Sequence, residues 1–425
     1  MSRLLAVAGL SVRMLAQAAQ DGGYRAAALD LFGDVDTRRA AGAWWPIGAP
    51  GRLAIDGEAL LAVLDRLRGA GGAAGWIAGS GFEGEPGLLA AGARLLPLIG
   101  NAPEVVAAVR DPAVFFGRLV AQGIPHPETR LMRPAAPAGW LRKDFGSSGG
   151  RDVQPAAGEA PPGPDGAARS ADGAARSADG AGIHYQRLAA GDPMSALFLA
   201  DGRRSRLLGV NRQIVRRLGD RPFVFRGCIG PLPVAPALRG ALQGIVDALT
   251  ANFGLRGLNG LDFLLDGDRL AVLELNPRPP ASMALYRDAL PGGLIRAHVA
   301  ASLAGHLPAG DASGRAMGAR RVPPATALRG FEVVFARAPH RIDAAAADAL
   351  ARRAWCHDLP VRGSRVARGE PVCTVSAAGS SIAEVHGLLV RRRRHIPFLL
   401  EQNDESSGNY PPEPRVPRAH ALECQ

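Results

Sequence analysis

The sequence predicts a mixed α/β protein: a doubly wound, mostly parallel α/β sheet at the start, then α+β lobes. Three observations carry this. Strands and helices alternate over about the first hundred residues, a pattern that packs helices on both faces of a parallel sheet. A long apolar hairpin lies at 257–279. From about 325 the chain turns to short strands and glycine turns.

In order, "RLLAVAG" (3–9) reads as a buried strand and "SVRMLAQAAQDGG" as a helix with Ser11 near its cap. The opening twenty residues superficially resemble a signal peptide. The apolar run is short, however, and Arg13 interrupts it, so strand–turn–helix is the reading. "YRAAALDLFG" (24–33) is a second strand, "GEALLAVLDRLRGAGGA" (57–73) a helix. Asp30, Asp34, Asp36 and Glu83 fall at strand ends, as ligands of such a sheet or as turn and cap residues. "DPAVFFGRLVAQGIPHPET" is an amphipathic helix stopping at Gly123, and "GWLRKDF" (139–145) a strand. A biased tract follows, with DGAARSA in tandem at 165–171 and 172–178; lacking an apolar face, it reads as a mobile surface insertion at about 155–182. "HYQRLAAGDPMSALFLADGRRSRLLGVNRQIV" reads as two strands around "ADG", and "LRGALQGIVDALTANFG" as a helix. Beyond 401 no apolar period remains, and a disordered tail is expected.

The chain has 425 residues, 47% of them hydrophobic and 21% charged, enough for two or three folded domains. The formal charge of +11 favours anionic ligands. The basic residues are scattered, though, and "RRRRH" (391–395) reads as a solvated helix end or loop. No motif that reads RNA or DNA accompanies it, so nucleic acid is not the expected partner. Cys228, Cys356, Cys373 and Cys424 lie far apart, which implies neither a disulfide framework nor a zinc site and suits a reducing cytoplasm. No stretch approaches the roughly 20 apolar residues of a membrane span.

Lys143 is the only lysine; every other member of the 50 Lys+Arg residues is arginine. It precedes Gly146, Ser147, Ser148, Gly149 and Gly150. Small residues let backbone N–H groups approach an anion, hydroxyls add donors, and an ammonium supplies a point charge for phosphate oxygens. In the hairpin, Glu274 and Asn276 are two apart and project from one face. The residue opposite Glu274 falls around 260–262, so Asp262 can point the same way. Two carboxylates and an amide oxygen on one face suit a hard cation, and acids among Leu, Val and Phe are costly unless paired or metal-bound.

With these residues in view, the sequence resembles the ATP-grasp superfamily. "LRKDFGSSGGRDV" is similar to its lysine strand and phosphate lid, "YQRLAAG" to its adenine hinge, and "LDFLLDGDRLAVLELNPRP" to its metal-binding hairpin. With "GSGFEGEP", "GIPHPET" and "PVRGSRVARGEPVCTV", the chain most resembles ATP-grasp proteins of methylotrophic bacteria, associated with tetrahydromethanopterin and methanofuran-type cofactors. The resemblance covers roughly 1–400. It implies a Rossmann-like pre-ATP-grasp domain (1–108), a lid subdomain (109–190), a C-lobe with the metal hairpin (191–310), a small β-rich module (325–400) and the tail (401–425).

It further implies an ATP-dependent carboxylate–amine ligase working through an acyl phosphate, in C1-carrier cofactor biosynthesis. A dipeptide or amino-acid ligase, or a nucleotide-binding regulator without turnover, are the alternatives. ATP and one or two Mg²⁺ (or Mn²⁺) would be the cofactors, and small carboxylates and amines the partners; a homodimer is one possible assembly. By position, Lys143 would contact phosphates, Gly146 to Gly150 form the lid, and Gln186 and Leu188 line the adenine edge. Asp262, Glu274 and Asn276 would hold the metal, and Arg278 face the reacting carboxylate. The chain departs from the pattern near 112, where Pro112 replaces a phosphate lysine and Arg118 or Arg142 are the candidate substitutes. It departs again at the hinge, where Gln186 replaces an acid and Met194 and Ser195 stand at the ribose position.

Overall fold

The computed structural model describes residues 3–49, 52–144, 146–157, 183–308 and 328–401. The expected insertion and terminal tail fall almost wholly outside these residues. Among the described residues the strands form four sheets, and no helix is long and apolar enough to cross a membrane.

The N-terminal layer runs β1 (Leu4–Ala8), α1 (Arg13–Asp21), β2 (Arg25–Asp30), α2 (Val35–Ala40), β3 (Ala43–Pro46), α3 (Gly57–Gly69) and β4 (Ala73–Ala78). The strands lie in the order β3-β2-β1-β4 and pair in parallel. β1 and β2 are nearly continuous apolar runs because helices cover both faces of the sheet. The cap of α1 is Val12 rather than the expected Ser11, and no side chain closes it; the buried Asp30 carboxylate instead accepts the Val12 N–H. Asp30 also accepts from Phe32, Gly33 and the Trp44 indole, which makes it a turn organiser. Burial still pushes its pKa up despite those donors.

Three helices follow: α4 (Pro86–Leu95), α5 (Pro103–Arg110) and α6 (Pro112–Ala121). Asp111 ends one and caps the next, accepting from the N–H groups of Ala113 and Val114. They lead into a small antiparallel sheet of β5 (Thr129–Arg130), β6 (Trp140–Asp144), β7 (Gln154–Pro155) and β8 (Ile183–Arg187), in the order β5-β8-β6-β7.

The large sheet begins with β9 (Asp192–Asp201), β10 (Ser205–Leu218) and β11 (Arg221–Gly230). The "HYQR" stretch, read with β9 as one strand, is a separate strand in the small sheet, because Gly191 adopts φ 131° and breaks the run. α7 (Pro236–Phe253) covers this sheet, and β12 (Arg256–Asp266) with β13 (Arg269–Asn276) forms the expected hairpin. α8 (Leu294–Ala304) packs between β12 and the N-terminal layer. Next come β14 (Leu328–Phe335), β15 (His340–Arg341), α9 (Ala344–Ala351), β16 (Cys356–His357), β17 (Arg365–Val366), β18 (Pro371–Gly379) and α10 (Ile382–Glu401). β14, β18 and β16 do not stand apart as a separate sheet. They extend the large one through β11, in the order β13-β12-β9-β10-β11-β14-β18-β16. The arginine run 391–394 lies inside α10, which buries Val385, Leu389 and Ile396 against β14 and β18. Four consecutive charges mask that apolar periodicity in the sequence.

Two polar contacts lock these parts together. Arg13 donates to both carboxylate oxygens of Asp358, at 2.6 and 3.2 Å, and lies 3.5 Å from Asp36. Asp36 accepts from the N–H groups of Asp358 and Leu359. His298, wholly buried on α8, accepts the Leu258 N–H at Nδ1 (2.8 Å) and lies 3.0 Å from the Ile99 carbonyl at Nε2. Meeting both partners requires the neutral tautomer protonated at Nε2. Gly257, at φ 70°, leaves room for the ring: an added Cβ would fall 2.4 Å from Nδ1.

Burial lowers the pKa of His298 to about 4 from 6.5, and burial with nearby Arg13 does the same for His357. The unfolded chain therefore takes up protons near pH 6.5 that the fold refuses until about 4. Stability is complete above the unfolded value and falls as pH drops through that window, by on the order of 3 kcal/mol from His298. Urea unfolding from about pH 4 to pH 7 should show this slope. His298→Gln, which keeps a donor and an acceptor, should shallow it by one proton; an unchanged slope would place the titration elsewhere.

Candidate active site

Lys143 and Gln186 sit on adjacent strands of the small sheet. Lys143 pairs with His184 and Leu141 with Gln186, so all four side chains share one face. Lys143 Nζ donates to Gln186 Oε1 at 2.8 Å, and Gln186 Nε2 donates to the Thr129 hydroxyl at 3.2 Å. Burial lowers the ammonium's pKa, while the negative charges of Glu274 and Asp262 push it back up. The lysine of the small sheet thus lies within the field of two acids of the large one.

On the large sheet Glu274 is directly opposite Asp262 and Asn276 opposite Gly260; the register then slips between Asp262 and Phe263. Asn276 Nδ2 donates to Asp262 Oδ2 at 3.2 Å and lies 3.4 Å from Glu274 Oε1. Asp262 is 4% exposed. Burial and the Glu274 carboxylate beside it push its pKa well above the usual carboxylate range; a Gln213 hydrogen bond and Arg278 oppose this. Two carboxylates crowded together in this way are what a cation would relieve. Asn276 Oδ1 is buried and accepts no hydrogen bond. Among the described residues no three His, Cys, Asp or Glu side chains cluster as a metal cage. The donor set is therefore two carboxylates and an amide oxygen, which fits Mg²⁺, an ion that keeps waters and takes oxygens from phosphates.

Arg278, expected to face a reacting carboxylate, donates through Nε to Glu83 Oε1 at 2.7 Å. Burial alone would raise the pKa of Glu83; the charges of Arg278 and Arg110 and donation from Gly81 N–H hold it below the usual range. Of the four acids at strand ends, Glu83 is the one that reaches the site.

The loop 146–152 reaches from the small sheet to the large one. Gly149 and Gly150 adopt φ 73° and 65°, which favours glycine, and the Gly149 carbonyl accepts the Phe225 N–H of β11 at 3.0 Å. Gly146 N–H donates to Asp144 Oδ1, and the Ser147 hydroxyl donates to Asp152. Ser147's carbonyl accepts from Arg110 at 2.9 Å.

Arg110 is a site residue that sequence reasoning missed. It feels Glu274, Glu83 and Asp262, although burial is the largest influence and lowers its pKa. Arg118, a candidate for the missing lysine, is instead on the surface beside Asn252, because it falls on the outer side of α6. Arg142 alternates with Lys143 and so faces away from it. The readable signal for Arg110 was its phase: with Val106 and Val109 it occupies the buried stripe of α5. Gln213, another contributor, lies on the same face of β10 as Asn211. Leu188 is not brought into the cluster: β8 ends at Arg187, and Leu188 is 54% exposed with its N–H on the Gly139 carbonyl. Ser195, placed by sequence at the ribose position, instead lies opposite Asp262.

Residues 163–282 match the family model ATP-grasp_3, an ATP-grasp domain. No curated protein sequence matches. N5-carboxyaminoimidazole synthase from Aspergillus clavatus, solved with ADP and 5-aminoimidazole ribonucleotide, has a TM-score of 0.59 at 12% identity, covering 93% of this chain and 98% of that one. An L-amino acid ligase from Bacillus licheniformis gives 0.61 at 14%, covering 93% and 97%. N5-carboxyaminoimidazole ribonucleotide synthetase from Thermus thermophilus gives 0.58 at 18%, covering 92% and 98%. Residues 163–282, which include the β12–β13 hairpin, thus match an ATP-grasp domain, and the chain shares the fold of these proteins along nearly its whole length.

Proposed function

We propose that the protein is an ATP-dependent carboxylate–amine ligase, in which ATP phosphorylates a substrate carboxylate and an amine displaces phosphate to leave an amide. The observation that carries this is the convergence of Lys143 with Asp262 and Glu274 from two sheets. Phosphoryl transfer needs positioning and charge neutralisation more than covalent help from the protein. Lys143 and Arg110 would hold phosphate oxygens, and the loop 146–152 would exclude water from the acyl phosphate. Asp262, Glu274 and Asn276 would hold Mg²⁺, which when bound neutralises charge on the triphosphate. Arg278 would orient the substrate carboxylate, exchanging Glu83 for it. Gln186 already engages Lys143, so its side chain would sense the phosphates as well as the adenine edge. The structural relatives include an L-amino acid ligase and a synthase solved with ADP, which supports the reading. The narrower role in C1-carrier cofactor assembly rests on the sequence resemblance.

ADP release, screened over pairs of carboxylic acids and amines, tests the activity; no release with any pair and no Mg-ATP binding would overturn it. Lys143→Arg should lower turnover by about a hundredfold, because the planar guanidinium does not fit a buried ammonium site between Gln186 and the acids. Wild-type rates in that variant would remove Lys143 from the chemistry. Glu274→Gln should raise the Tm of the metal-free protein, by relieving repulsion with Asp262, and lose the Mg²⁺-induced Tm increase. A retained Mg²⁺ response would refute the hairpin as the metal site.

A further inference from the structure

A cleft of about 1920 Å³ runs from Glu83, Arg110 and the 146–152 loop to the β10–β11 hairpin and the strands beyond it. Its far end is lined with arginines that the ligase chemistry does not use. The β10–β11 ladder is broken twice. Ile214 pairs with Gly227 and Val215 with Phe225, which leaves Arg226 as an extra residue on β11. Arg216 pairs with Val224 and Leu218 with Arg221, which sets Arg217 of β10 against two residues of β11, Pro222 and Phe223. Bulges re-aim side chains; the bulged Arg226 lines the cleft, and so does Arg217 at the second irregularity. Arg226 donates to the Arg217 carbonyl at 2.9 Å, which ties its side chain to the second irregularity.

Arg226 lies 5.2 Å over the Phe335 ring, and its Nε is buried with no hydrogen-bond partner. Burial lowers its pKa, Glu332 opposes this, and Arg393, Arg216 and Arg337 add repulsion. Arg393 Nε lies 3.1 Å from Glu332 Oε1, yet neither Glu332 oxygen accepts a hydrogen bond. Arg216 lies 2.8 Å from Nε2 of the His386 ring, which supplies no carboxylate to balance it. Arg226 thus feels three other guanidiniums and a single buried carboxylate. An arrangement of this kind is relieved by an anion with several oxygens, which guanidinium groups can grip in pairs.

We propose that this end of the cleft binds a second anionic group of the substrate acid, so that the acid is a polyanion carrying a phosphate or further carboxylates besides the one activated. Arg226 and Arg337 grip that distal group, while the reacting carboxylate lies toward Arg110 and the 146–152 loop at the other end. This deepens the ligase reading and rests on it for the direction in which the acid lies.

The test is binding to the full-length protein by calorimetry, with butyrate, tricarballylate and 3-phosphoglycerate as probes. Tricarballylate or 3-phosphoglycerate should bind at least about tenfold tighter than butyrate, and whichever binds tighter assigns carboxylate or phosphate as the distal group. Arg226→Gln should abolish that preference. Arg337→Gln, at an exposed position where folding is not at stake, should reduce it severalfold. Equal binding of all three acids by the wild type, or a preference unchanged in both variants, would overturn the subsite. So would a single-stranded RNA oligonucleotide that displaces the acids and binds through the same arginines. Mg-ATP binding on the same preparation separates the two readings: polyanion preference without Mg-ATP binding sinks the ligase and leaves the subsite standing.

Discussion

The organising constraint is a charge problem shared by two sheets. Asp262 and Glu274 face each other across a hairpin, and burial with the Glu274 charge makes Asp262 harder to ionise. An ammonium on the opposing small sheet and a guanidinium at the end of α5 bring positive charge to the same place. No single element can satisfy this balance. The lobes must be held in register, and the polar locks at Arg13–Asp358 and His298 have that consequence.

The same constraint explains how a small set of residues occupies so much of the interior. Glu83 comes from the N-terminal layer, Arg110 from the helical connection, Lys143 from the small sheet and Arg278 from just beyond the hairpin. Each buried charge is met by another from a different part of the chain. A buried charge whose partner is removed carries a large desolvation penalty, so the cluster couples the position of each lobe to the others. The 146–152 loop, tied to Arg110 on one side and to β11 on the other, lies within this network.

Continuity of the large sheet gives the cleft its second end. Because β14 and β18 extend the sheet through β11, the C-terminal part and the β10–β11 hairpin form one wall with β9, β12 and β13. A bulge then turns Arg226 out of the ladder, and Arg217 lines the same wall at a second irregularity. The result is one cleft with a charge-balanced end and an end rich in unbalanced cations.

Local pattern alone determined the strand–helix alternation of the first hundred residues, the 256–276 hairpin and the shared face of Glu274 and Asn276. The solitary Lys143 could be singled out by composition. Those features depend on strand and helix periodicity and on turn chemistry, which act over a few residues. Tertiary structure decided which charges meet. Glu83 could equally have been a cap, nothing in the local pattern singled out Arg110, and Arg118 and Arg142 were the candidates for a phosphate cation. Leu188 fell outside the cluster through the end of one short strand. The split of "HYQR" from β9 and the joining of the late strands to the large sheet both depend on strand pairing between distant segments. That pairing is set by packing and by the desolvation of charge across the whole fold, neither of which a local window of sequence contains.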